Sequence, residues 1–164
     1  MRTLLLMRHG KSDWNADYDV DHDRPLNDRG VRSARVMGQV LTEEGETPDL
    51  IITSTAVRAR TTAQLAAEAG GWGCEIVLEP RLYGSGADMV VQVAGAAPQV
   101  GRLMLVGHQP TWSIVVSVLT GDQVEMKTAT VASLGFDVDD WAELASVRGT
   151  VDAVYQPRDY LDGE

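Results

Sequence analysis

The sequence predicts an α/β protein: a three-layer αβα arrangement in which a mostly parallel sheet is covered by helices on both faces. Three observations predict it. Leu4 to Met7, Leu50 to Ile52 and Leu103 to Val106 are continuously apolar rather than alternating, the pattern of strands buried on both sides. Helical patterns separate these runs, as βαβ connections require. Gly and Pro are spread along the 164 residues instead of pooling into a linker, which reads as a single domain over 1–164.

The elements follow in order. Residues 3–7 read as the first strand, and the polar, Asp-rich stretch 11–27 as loop. Asn27 is placed as the N-cap of a helix carrying Val31, Ala34, Met37 and Leu41 at helical spacing, with Gly45 as its stop. Residues 49–53 form the second strand. Ser54 and Thr55 are possible caps for a helix over 57–69 that ends at Gly70-Gly71. A weaker third strand covers 75–78, a helix 87–97, and the fourth strand 103–106. Pro110 suits the first turn of a helix continuing through 111–119. Strand-like runs at 131–138, 143–147 and 153–155 close the chain, in either direction.

Lys plus Arg number 14 against 24 Asp plus Glu, a net charge of −10. A field this negative repels polyanions and argues against nucleic acid or an anionic membrane as partner. An anionic ligand must then be caught by a local cluster of positive groups. The lone cysteine, Cys74, excludes an intrachain disulfide and a multi-cysteine zinc site. It fits a reducing compartment, so a cytoplasmic location is expected. No stretch approaches the roughly 20 apolar residues that span a bilayer, and the run at residues 4–7 is too short for an export signal.

Ligands of open α/β sheets bind beyond the carboxyl ends of the strands. The first strand ends in Arg8 and His9. The second leads into Ser54 and a helix with Arg58 in its first turn. The fourth ends in His108. Two arginines and two histidines make a site for a dianion, because guanidinium forks and helix N-termini bind phosphate oxygens. Nearby arginines also disfavour a charged imidazole and so keep one histidine neutral and nucleophilic. A neutral imidazole can attack phosphorus to give a covalent phosphohistidine, with the remaining groups spreading the phosphoryl charge. The guanidinium groups take the electrostatic part of a metal, so neither metal nor cofactor is expected.

These residues carry a resemblance. Leu5-Leu6-Met7-Arg8-His9-Gly10, followed by Ser12-Asp13-Trp14-Asn15, resembles the signature of the histidine phosphatase superfamily, the phosphoglycerate-mutase-like group. Ser54-Thr55-Ala56-Val57-Arg58-Ala59-Arg60-Thr61-Thr62-Ala63 resembles its second block, and Val106-Gly107-His108-Gln109-Pro110 the block with its second histidine. The three occur in the family's order. The short length, the segment Arg24 to Gly30 and Pro157-Arg158 look most like the small SixA-type phosphohistidine phosphatases. The resemblance implies a phosphoglycerate-mutase-like fold and a metal-independent phosphatase. It implies His9 as the phosphorylated nucleophile, Arg8 and Arg58 as holders of the phosphoryl oxygens, and His108 as a transition-state donor. Asn15 matches a family asparagine near the phosphate.

There is one departure. Tyr83, in Glu79-Pro80-Arg81-Leu82-Tyr83-Gly84, stands where larger members carry a glutamate proton donor. The chain also lacks room for a mutase lid. Both features suit a substrate with a good leaving group, such as the P–N bond of phosphohistidine in a protein. The alternatives are a phosphatase for a small phosphomonoester, with Asp88 or Glu79 as acid, and a phospholigand-binding module without turnover. Asp88 reads equally as a helix N-cap. His22 reads as a solvated loop residue and Arg60 as a surface residue. Trp14 and Trp112 read equally as pocket walls or core. The run from Asp17 to Asp23 reads as a solvated loop, or as a means to repel small anions or favour a basic substrate surface. A zinc ion on His9 and His108 with an aspartate is opposed by the arginines.

Overall fold

The computed structural model describes residues 1–161. It contains strands β1 (Arg2–Arg8), β2 (Leu50–Thr53), β3 (Glu75–Leu78), β4 (Arg102–Gly107), β5 (Val131–Phe136) and β6 (Thr150–Tyr155). The helices are α1 (Asp28–Glu43), α2 (Val57–Gly70), α3 (Ala87–Gly95) and α4 (Thr111–Thr120). One six-stranded sheet runs in the order β3-β2-β4-β1-β5-β6. The pairs β3–β2, β2–β4 and β4–β1 are parallel. β5 is antiparallel to both β1 and β6. The sheet is therefore mixed, with an all-parallel half that carries the strand ends of interest.

The continuous apolar runs are explained by the two faces. Leu4, Leu6, Leu50, Ile52, Leu103 and Leu105 pack on one side against α3 and α4 residues such as Val90, Val93, Val115 and Leu119. Leu5, Met7, Ile51, Met104 and Val106 pack on the other, against Met37 and Leu41 of α1 and the alanine face of α2. Residues 4–7 are all 0% exposed. Such a strand needs apolar side chains at every position, each worth about 1.5–3 kcal/mol of burial. Asn27 caps α1 as expected, its Oδ1 accepting from Gly30 N at 2.8 Å.

Several bounds depart from expectation: β5 ends at Phe136 rather than 138, and β6 starts at Thr150 rather than 153. Helix α3 stops at Gly95 rather than near residue 97. The run 143–147 is not a strand: residues Trp141–Ser146 form a 3-10 turn. Asp140 Oδ1 accepts from Ala142 N at 2.8 Å and tightens the backbone there, while Trp141 is buried and donates to Val100 O. A side chain that bonds its own backbone two residues on favours a turn over a ladder. Among the described residues no helix is long and apolar enough to cross a membrane.

Candidate active site

β4 lies between β1 and β2, so the ends of these three parallel strands are neighbours. His9 N donates to Gly107 O at 3.0 Å and Ser54 N to Val106 O at 2.9 Å, which stitches the three ends together. An open pocket of about 490 Å³ sits beyond them, lined by Arg8, His9, Arg58 and His108 among others. The two imidazole rings are 5.2 Å apart between centroids.

Small residues permit this closeness. A side chain on Gly10 would meet Gly30 O at 2.8 Å, and one on Gly107 would meet the ring of Trp112 at 2.1 Å. The glycine after His9 and the one before His108 are thus demanded by packing. Gly10 N also donates to Thr62 Oγ1 at 3.0 Å, and Thr62 in turn donates to Arg58 O at 2.7 Å. That chain ties the turn after β1 to the helix that presents Arg58.

His9 is 7% exposed. Its Nδ1 lies 2.6 Å from Gly10 O, and a carbonyl only accepts, so Nδ1 carries the hydrogen. Nε2 is left with a free lone pair. Burial pushes the His9 imidazole down to about 3, against a partial upward pull from the Gly10 bond, with His108, Arg58 and Arg8 adding to the depression. His108 bonds Ser54 Oγ through Nε2 at 2.8 Å. It is pushed down to about 4, by burial first and then by Arg58, with Asp21 pulling the other way. Both histidines are therefore neutral near pH 7.

This has a consequence for stability. Each group has its ordinary value near 6.5 when unfolded and a depressed one when folded, so the unfolded chain binds more protons in acid. The part of stability these two groups supply is complete above about pH 6.5 and is lost as pH falls toward about 4 for His108 and about 3 for His9. At pH 5 each histidine should account for on the order of 2 kcal/mol of that loss. Thermal unfolding of wild type at pH 7 and pH 5 should show a clear drop, and the double variant His9→Gln/His108→Gln should largely remove it. An unchanged drop in the variant would place the acid sensitivity elsewhere.

The arginines are fixed by their terminal nitrogens. Arg8 Nη1 donates to Met126 O at 3.1 Å. Arg58, 6% exposed, donates from Nη1 to Asp21 O at 2.8 Å and from Nη2 to Asp21 Oδ2 at 2.9 Å. The Nε–H of each is buried with no protein partner.

Asn15 is not brought into this group. It is exposed, its backbone N–H donates to Asp13 Oδ1, and it does not line the pocket. Arg60 and Asp88 also lie outside the lining, with Asp88 exposed in the first turn of α3. Glu79 is engaged by Arg81 and is likewise outside. Trp112 is buried core, whereas Trp14 sits on the pocket wall, 69% exposed, with the Arg24 guanidinium 3.6 Å above its ring.

Sequence reasoning gave Arg24 no role in the site and read Asp21 only as part of the run from Asp17 to Asp23, yet both line the pocket. Arg24 is 5% exposed and donates to Ser12 Oγ and to Asp21 Oδ1. Asp21 belongs to a 3-10 turn, Asp21–Asp23, and binds Arg24, Arg58 and Tyr83 rather than solvent alone. Tyr83 stands edge-on to His108 and to His22, at 5.5 and 4.9 Å. His22 is half-buried, bonded to Thr55 Oγ1 at 2.8 Å, and is not a free loop residue. The one available signal was the unusual density of charge in the loop at residues 17–24. Among the described residues no group of three or more His, Cys, Asp or Glu side chains is arranged to hold a metal ion.

A basic pocket at the ends of parallel strands, in a chain of net charge −10, defines a protein that gathers a phosphoryl group locally. The family description of the histidine phosphatase superfamily, branch 1, matches residues 4–84. An uncharacterized chloroplast protein of Arabidopsis thaliana is 30% identical over 158 residues, covering 90% of this chain and 72% of that one. Among solved structures, a protein designated phosphohistidine phosphatase SixA from Nakamurella multipartitia superposes with a TM-score of 0.82. It is 31% identical, over 95% of this chain and 96% of that one. One so designated from Agrobacterium tumefaciens gives 0.82 at 28% identity, over 95% and 98%. The chain belongs to the histidine phosphatase superfamily and is a phosphatase with the α/β fold of that family.

Proposed function

We propose that this chain dephosphorylates phosphohistidine in proteins, without a metal, through a covalent intermediate on His9. The observation that carries the reading is the free Nε2 lone pair of His9 in a pocket that Arg8, Arg58 and His108 also line. In the first step Nε2 bonds to phosphorus as the bond to the leaving group breaks. Arg8, Arg58 and His108 hold the phosphoryl oxygens and spread their charge. In the second, water adds to phosphorus, the N–P bond breaks, and phosphate leaves with the proton that the water gives up. Asn15, exposed on the loop after β1, is assigned no role in either step.

The substrate class rests on the leaving group. Glu79 and Asp88, the carboxylates offered by the sequence as acids, both lie away from the pocket. A phosphohistidine ring brings its own proton on the nitrogen remote from phosphorus, whereas an alkoxide needs one supplied. Wild type should therefore cleave a phosphohistidine peptide and p-nitrophenyl phosphate far faster than an alkyl monoester such as glycerol phosphate, and EDTA should leave the rates unchanged. Comparable rates on all three substrates would show a working general acid and point to a small phosphomonoester instead. Loss of activity on chelation would overturn metal independence.

A further inference from the structure

Asp21 is the sole carboxylate lining the pocket among the described residues, and the two steps above leave it without a task. A carboxylate offers about four acceptor positions, two on each oxygen. Three are filled: Oδ1 accepts from Arg24 Nη2 at 3.0 Å, and Oδ2 accepts from Arg58 Nη2 and from the Tyr83 hydroxyl, both at 2.9 Å. One position on Oδ1 remains open, and the side chain is 50% exposed. Burial pulls the acid upward, but the bonds from Arg24, Tyr83 and Arg58 outweigh it and hold the carboxyl down at about 2. The group is thus an acceptor that does not donate a proton at working pH. A fixed anion beside a phosphate site opposes every dianion that enters. Beyond bracing Arg24 and Arg58, it gains a use in binding where the incoming molecule also carries a positive charge.

We propose that Asp21 is a specificity-determining residue that favours phosphoramidates, whose leaving group arrives with its own N–H proton, over phosphate monoesters. This rests on the phosphohistidine reading above and extends it to the charge of the leaving group. The open position on Oδ1 accepts an N–H of that group, which for phosphohistidine is the ring nitrogen remote from phosphorus. As Nε2 of His9 bonds to phosphorus, the P–N pair returns to the leaving nitrogen, and the ring departs as neutral imidazole with its proton retained. A monoester of the p-nitrophenyl kind departs as an anion and meets repulsion at the same place. The interaction exists before the chemical step, so it acts mainly through KM.

The test is Asp21→Asn, which keeps the size and one oxygen acceptor but removes the charge. Its kcat/KM for phosphoramidate and for a phosphohistidine peptide should fall about tenfold, chiefly through KM, the size of effect given by losing one charge-assisted bond. Its kcat/KM for p-nitrophenyl phosphate should rise, and vanadate, measured by calorimetry, should bind several-fold tighter. A parallel fall on both kinds of substrate, with weaker vanadate binding, would reduce Asp21 to a brace for Arg58 and overturn the proposal. That result leaves wild-type cleavage of P–N bonds intact. A wild type that cleaves p-nitrophenyl phosphate but neither P–N substrate overturns the phosphohistidine reading and the proposal with it.

Discussion

His9→Ala should abolish turnover, by on the order of a millionfold, the scale reached when a covalent nucleophile is removed. The fold should survive. His9 follows β1 rather than pairing within it, and its backbone bonds to Gly107 and Ala129 do not involve the side chain. The melting temperature at pH 7 is the control. Wild type denatured during turnover should carry phosphate on His9 that is stable to alkali and lost in acid, as a P–N bond is. Near wild-type rates in His9→Ala would end the covalent scheme. Phosphate recovered on His108 instead would exchange the roles of the two histidines.

Arg58→Ala should cost roughly two to three decades in kcat/KM, the effect of removing one transition-state donor. Arg8→Ala should cost a similar amount. Arg58 should be the more damaging of the two. Its loss deprives Asp21 of one of the two guanidinium partners that hold its charge, so the carboxylate then faces the phosphoryl group less compensated. Lysine should rescue neither position, because a point charge cannot reproduce a planar fork. Arg60→Ala should be mild, since that side chain lies outside the pocket. If Arg60→Ala proved as harmful as Arg58→Ala, the face that α2 turns to the site would be the other one.

The parts of this structure that could be read from the chain are those governed by local rules. β1, β2 and β4 were legible because strands buried on both faces must be apolar at every position, and residues 4–7 are. Arg8, His9, Arg58 and His108 were legible as a group because each falls at or just after such a strand end. The 3-10 turn at Trp141–Ser146 was read as a strand-like run over 143–147 because the decisive bond comes from the side chain of Asp140, outside that run. Arg24 was missed, and Asp21 read only as one member of an acidic run, for a different reason. Their loop has no periodicity, and its path is set by long-range pairings: Ser12 with Leu26 across an isolated bridge, Arg24 with Ser12, and Arg58 with Asp21. Asn15 shares that loop, and its place in a motif did not determine where the loop carries it.

The bond from His9 Nδ1 to the Gly10 carbonyl also dictates regiochemistry. An imidazole has two nitrogens that can be phosphorylated, and the products are distinct isomers. With Nδ1 committed as a donor, only the Nε2 isomer, τ-phosphohistidine, can form without breaking that bond. An enzyme built this way makes one of the two isomers at its own centre, whichever isomer its substrate presents.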